Sequence, residues 1–184
     1  MLKALFHFII RRFERTYDYD SSYMHALVDL DPRGFWQFSR VASAAEYRAG
    51  LPLAAFFAAK LAATLHEDCG PCAQLVIKMA LAAKVPAASL TALVRGDDAG
   101  AGPDAAIAFR FCQAVLQNAP DLETWRTAVL AQFGPRGPAF LGLTLCLARM
   151  FPVLKRAMGH AHTCSRLDID GVVIAPNKPS LRAA

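Results

Sequence analysis

Alanine and leucine dominate this chain, its runs of β-branched residues are short, and Pro and Gly fall at segment boundaries. This pattern limits the fold more than any motif does, because such residues lose little side-chain freedom in a helix and offer little to a pleated sheet. Periodicity and boundary residues predict helices near residues 2–17, 22–30, 33–48, 51–66, 70–84, 86–95, 103–118, 121–133 and 137–158. In the fifth, Cys72, Val76, Met79 and Ala83 share one face, while Gln74, Lys78 and Lys84 lie away from it. Pro103 suits a first helical turn, Asp121 is placed to cap the amides after it, and Gly134 is placed to end its helix. Pro152 should bend the last helix. The expectation is one all-α domain over residues 1–159, followed by an irregular C-terminal tail, 160–184, whose "GVVIA" reads as a short strand. The chain has no tandem repeat and no low-complexity block.

A length of 184 residues suffices for one domain with a real core. With Gly counted in place of Tyr, roughly 59% of the chain is apolar, against an ordinary ~45–50%. The longest uncharged runs, "AGLPLAAFFAA" and "GPAFLGLTLCLA", fall short of the ~18 residues a membrane span needs. A subunit interface is the better outlet for the excess, so a homo-oligomer is expected and a membrane is not. The opening "MLKALFHFIIRRFERTY" lacks the cleavage site of a signal peptide, and a reducing cytoplasm is the default location. The formal charge of +5 is spread along the chain, which argues against a nucleic-acid partner. Its one cluster, Arg11, Arg12 and Arg15, reads as a solvated helix face.

Chemistry concentrates in "HEDCGPCAQLVIKMA", His66 to Ala80. A helix starting near Gly70 puts Pro71 in its first turn, where the missing N–H loses no hydrogen bond. The free amides and the positive end of the helix dipole then favour thiolate over thiol. Cys69 must lie just before the regular helix for its sulfur to reach that of Cys72, since helical residues three apart hold their Cβ atoms ~5–6 Å apart. The polar residues His66, Glu67 and Asp68 and the Gly-Pro suggest a partly exposed pair able to open and close. A thiol also needs a base or an electropositive setting. His66 is the nearest candidate and Glu67 can orient it or act itself; the competing reading makes both exposed helix-end side chains. A thioredoxin would need a strand running into the motif, and an alanine-rich helix stands there instead. A haem attachment motif would need His where Ala73 stands. A zinc site would join Cys69 and Cys72 to His160, His162 and Cys164, but the His-x-His spacing is unusual and a domain this apolar needs no metal staple. No metal or other cofactor is expected.

The helix leading into "CGPCAQLVIKMALAAKV", then "SLTALVRGD", "DAAIAFRFCQAVLQNAPDLETW" and "LGLTLCLARMFPVLKRAMG" follow one another over about residues 40–159. In that order they resemble the AhpD-like alkylhydroperoxidase and carboxymuconolactone decarboxylase superfamily. The resemblance implies an AhpD-like helical bundle assembled as trimers or hexamers, a hydroperoxide substrate and a thiol reductant protein. It implies that Cys72 attacks the peroxide and that Cys69 resolves the sulfenic acid into a disulfide. The family's relay His and Glu fall on Val76 and Phe57, which cannot move a proton, so the relay itself does not carry over. The alternative class is a non-catalytic helical binding protein that has kept this fold.

Cys112 and Cys146 sit in apolar runs and are expected in the core. "DYDSSY" begins like a calcium loop but has Tyr23 and Asp29 where Gly and Glu belong, so a capped loop is expected. Phe35, Trp36, Phe38 and Trp125 read as core or interface aromatics.

Overall fold

The computed structural model describes residues 2–163 and 166–177. Among these are ten helices: α1 Leu2–Tyr17, α2 Ser22–Leu30, α3 Pro32–Ala44, α4 Leu53–His66, α5 Gly70–Ala82, α6 Ala87–Arg95, α7 Asp98–Ala101, α8 Pro103–Gln117, α9 Leu122–Phe133 and α10 Arg136–Ala157. One hairpin, β1 Leu167–Ile169 paired antiparallel with β2 Val172–Ile174, completes an otherwise all-α fold.

α4 is apolar on every side except at Lys60, and such a helix belongs at the centre of a fold. Every residue from Ala55 to Thr64 is buried, and α8, α10 and α5 pack around it. Its many alanines let these neighbours come close. α1, α2 and α3 form a second layer with its own small apolar cluster of Phe6, Ile10, Val28 and Phe35. Two buried or half-buried lysines of the main bundle tie the α1–α2 turn down. Lys78 Nζ donates to the Tyr17 and Asp18 carbonyls at 2.7 and 3.0 Å, and Lys155 Nζ donates to the Asp20 carbonyl at 3.1 Å.

Several expectations change. α3 ends at Ala44 rather than near 48, because the Glu46 and Tyr47 amides turn back onto the Ser43 and Ala44 carbonyls in tight turns. The short α7 was not foreseen; the Asp97 side chain starts it by accepting from the Gly100 amide at 3.1 Å. Asp121 precedes α9 but does not cap it, since its carboxylate instead accepts from Trp125 Nε1 at 2.9 Å. α10 runs through Pro152. Cys112 is buried, but Cys146 is exposed. On α10 the buried line is Leu141, Leu145 and Ala148, and Cys146 falls on the other side with the exposed Leu143 and Val153. α10 also has the length and composition to cross a membrane, with 22 residues and an 18-residue stretch of mean hydropathy 1.5, although its uncharged run alone is too short.

The segment after α10 is part of the core as well as a tail. Leu167, Ile169 and Ile174 are buried in the main apolar cluster. Gln74, on the side of α5 expected to face away, holds the hairpin: its amide donates to the Asp168 carbonyl and accepts from the Asp168 amide, both at 2.8 Å.

Gly137 shows how closely α9 and α10 approach. A Cβ there would lie 2.8 Å from Phe133 Cβ and 2.9 Å from Val129 Cγ1. Overpacking of this kind costs about 1–3 kcal/mol. Gly137→Ala is expected to lower the unfolding free energy measured by urea denaturation by that amount, although alanine is the better helix former; an unchanged or raised value would contradict the close approach.

Candidate thiol site

α4 ends at His66, and the chain turns through Asp68, which has a left-handed φ of 51°, into Cys69. Cys69 is extended, with φ −101° and ψ 95°, and stands at the N-cap of α5, so it does precede the regular helix. Gly70 and Pro71 form the first turn. This geometry brings the Cys69 and Cys72 Cα atoms to 5.3 Å, and their sulfurs are joined as a disulfide.

The expected partial exposure of the pair is not observed. Cys69 is 1% exposed and Cys72 3%. Two distant segments cover them. Residues after α10 cross Cys69, with the Gly70 amide donating to the His162 carbonyl at 3.2 Å and Thr163 bridging to Cys69 as an isolated β-pair. From the α1–α2 turn, the Tyr19 hydroxyl lies 3.9 Å from Cys72 Sγ. The tail thus reaches the thiols through its main chain. The His160 ring is directed elsewhere, to Ser22 Oγ at 2.9 Å, and Cys164 lies outside the described residues. Among the described residues no three His, Cys, Asp or Glu side chains converge as metal ligands.

The two candidate proton carriers have different surroundings. Glu67 is buried and its carboxylate lies between two arginines: Arg149 Nε donates to Oε1 at 2.6 Å and Arg156 Nη1 to Oε2 at 3.0 Å. Burial pushes this carboxyl up, but hydrogen bonds and charge from Arg149 and Arg156 outweigh it, and the group sits below its ordinary value. Glu67 is therefore an anion holding α10 to the thiol turn rather than an exposed helix-end side chain. His66 is half-buried; burial and the Arg149 charge hold it below the usual imidazole value against the pull of Glu67. No hydrogen bond joins either side chain to a sulfur.

Tyr19, Tyr23 and Lys155 form the polar neighbourhood that Cys72 does have. Burial pushes the Tyr19 phenol up to about 12, against the effect of the nearby Tyr23 hydroxyl and with a further push from Asp20. Burial drives Tyr23 higher still, and among the described residues its hydroxyl finds no partner with hydrogen-bond geometry. Both phenols therefore remain protonated donors. Lys155, fully buried, places its ammonium 4.7 Å from the Tyr19 ring centre and 5.4 Å from that of Tyr23.

Cys72 also faces a cavity of about 450 Å³ between the α1–α3 layer and the main bundle. Its walls are mostly apolar, with Phe13, Phe35, Phe38 and Phe151 supplying aromatic faces and Val76 standing beside Cys72. Phe35 and Phe38 are thus cavity walls as well as packing residues. Trp36 is exposed and stacks on Phe6 with ring centres 6.3 Å apart. Phe57 is buried in the core.

No protein-family model, no curated protein and no solved structure matches this chain.

Proposed function

We propose that this protein is a thiol redox protein of AhpD type in which Cys72 and Cys69 cycle between dithiol and disulfide, reducing a hydroperoxide or relaying electrons to another thiol protein. The observation that carries the reading is the position of Cys72, in the first turn of α5 on the wall of an apolar cavity and within disulfide reach of Cys69. Helix-start amides favour its thiolate. That thiolate attacks the hydroperoxide, forming an S–O bond as the O–O bond breaks, and the departing alkoxide takes a proton to leave as an alcohol. The Cys69 thiolate then attacks Cys72 Sγ, the disulfide forms, and the sulfenic oxygen leaves as water. A thiol reductant protein returns two electrons by exchange at the disulfide. That step requires the segment around His162 and Thr163 to move off Cys69.

Tyr19 takes part of the role that Val76 and Phe57 cannot fill. Its hydroxyl, 3.9 Å from Cys72 Sγ, stabilises the thiolate and is placed to give the alkoxide its proton. In a Cys69→Ser background, Tyr19→Phe is expected to slow alkylation of Cys72 near neutral pH by about two- to ten-fold, the worth of one modest hydrogen bond. An unchanged rate over the whole pH profile would remove Tyr19 from the mechanism.

The same reading includes assembly from copies of this chain, as trimers or hexamers. It is supported by exposed apolar side chains on α1, Leu2, Leu5 and Phe8, and on α10, Leu143 and Val153. The deciding experiment on function is to reduce the protein, add one equivalent of an organic hydroperoxide and map the cysteines by mass spectrometry. A Cys69–Cys72 disulfide formed faster than in air supports hydroperoxide reduction; two thiols left reduced would overturn that reaction.

A further inference from the structure

Lys60 interrupts an otherwise apolar helix, and its place in the structure is not explained by the thiol pair. It lies at the middle of α4, is 5% exposed and borders the cavity. Its Nζ sits 4.5 Å over the Phe56 ring and 2.7 Å from Glu46 Oε1. Burial lowers its affinity for a proton, while the bond and charge of Glu46 raise it. Glu46 differs from it in every respect: it lies in the turn after α3, outside any helix, with its side chain 54% exposed. A buried cation is thus paired with a carboxylate that water can solvate.

We infer that the cavity is a binding site for a single-chain apolar molecule ending in a carboxylate, a fatty acid in chemical class, whose head replaces Glu46 on Lys60 and whose chain lies among Phe13, Phe35, Phe38 and Phe151. A buried ammonium stripped of its partner is strongly unfavourable, so whatever displaces Glu46 must itself be an anion. Exchange of one carboxylate for another keeps Lys60 paired and releases Glu46 to water. The apolar chain then contributes its burial as net gain, since 450 Å³ of mostly apolar wall is of the size that encloses a small ligand. A cationic ligand is repelled by Lys60. A neutral one leaves Glu46 in place and gains from the walls alone. The site does not depend on thiol chemistry, although its chain would pass beside Cys72.

The test is calorimetric titration of the full chain with dodecanoate, below its micelle concentration, and with dodecan-1-ol as the headless control. Dodecanoate is expected to bind saturably at one site. Lys60→Met should weaken dodecanoate by about ten-fold or more, in the range of a charge-assisted hydrogen bond, and leave the alcohol nearly unchanged. Glu46→Gln should tighten dodecanoate by about ten-fold, because the internal competitor has lost its charge and the buried Lys60 ammonium lacks an anion until the ligand supplies one. Should Lys60→Met fail to fold, Glu46→Gln and the cavity-filling Ala42→Phe, which should block both ligands, decide the matter. Absence of saturable dodecanoate binding, or binding indifferent to Glu46→Gln and Ala42→Phe, overturns the inference. The oxidised protein, whose Cys69–Cys72 disulfide leaves no thiolate to react with peroxide, should bind dodecanoate saturably. Failure of the thiol cycle is therefore read separately from failure of this site.

Discussion

Replacing Cys72 by Ser is expected to abolish the reaction with hydroperoxide, whereas Cys69→Ser should leave the first step intact and stop it at a sulfenic acid. The asymmetry follows from what covers each sulfur. Cys72 borders the cavity, with the Tyr19 hydroxyl 3.9 Å away. Cys69 lies under the segment that pairs with it at Thr163 and that accepts the Gly70 amide at His162. Peroxide arriving through the cavity therefore meets Cys72 first, and Cys69 is reached only from inside. Mass spectrometry of the two reduced variants after peroxide should show one added oxygen on Cys72 in the Cys69→Ser protein and none in the Cys72→Ser protein. The opposite pattern would reverse the roles. Unmodified protein in both would favour the non-catalytic alternative, in which the fold serves binding alone.

Glu67→Gln is expected to be the most destabilising exchange of one polar atom for another. The carboxylate is 6% exposed and forms ion pairs with both Arg149 and Arg156, whose side chains are 42% and 53% exposed. Breaking a buried pair costs about 3–5 kcal/mol, but the two half-exposed guanidinium groups recover much of their hydration, so about 2–3 kcal/mol is expected here. For a chain of this size that lowers the melting temperature by about 4–12 °C. Its pH dependence has a definite sign. The folded-state pKa of Glu67 is depressed, so its contribution is present above the ordinary carboxyl range and is lost as pH falls through the folded value. The gap between wild type and Glu67→Gln should therefore be full near neutral pH and close in acid. A gap that stays constant, or widens, as pH falls would show that the two arginines do not stabilise the anion.

The cysteine turn was legible because short-range rules govern it. A Gly-Pro between two cysteines at a helix start forces the first outside the helix and the second into its first turn, and both lie there. Burial of the pair was not legible. The local residues His66, Glu67 and Asp68 are polar and suggest exposure, but the cover comes from Tyr19 and from the segment around Thr163, both remote in sequence. Glu67 illustrates the same limit, since nothing adjacent announces that Arg149 and Arg156 will close on it from α10. Lys60 did carry a signal that periodicity alone passes over: one cation in "LAAFFAAKLAATL", a helix with no polar face to put it on. Lys155 gives no such sign, because Arg149 and Arg156 share its helix and make it look like one more exposed base. Cys146 was misplaced because an apolar run does not say which of its faces turns inward; Leu141, Leu145 and Ala148 take the core and leave Cys146 outside.

What the amino-acid order determined by itself is the set of longer helices, most of their ends and the local geometry of the Cys69–Cys72 turn. These depend on neighbours within one or two turns: side-chain entropy, proline's missing N–H, a capping carboxylate, a glycine free to take a left-handed angle. The chemical environment of the thiols was decided only in three dimensions. The cavity, the Tyr19 contact, the Glu67 pairing and the Lys60–Glu46 pairing each depend on which helix faces pack together, and that choice minimises exposed apolar surface over the whole chain rather than along any segment of it.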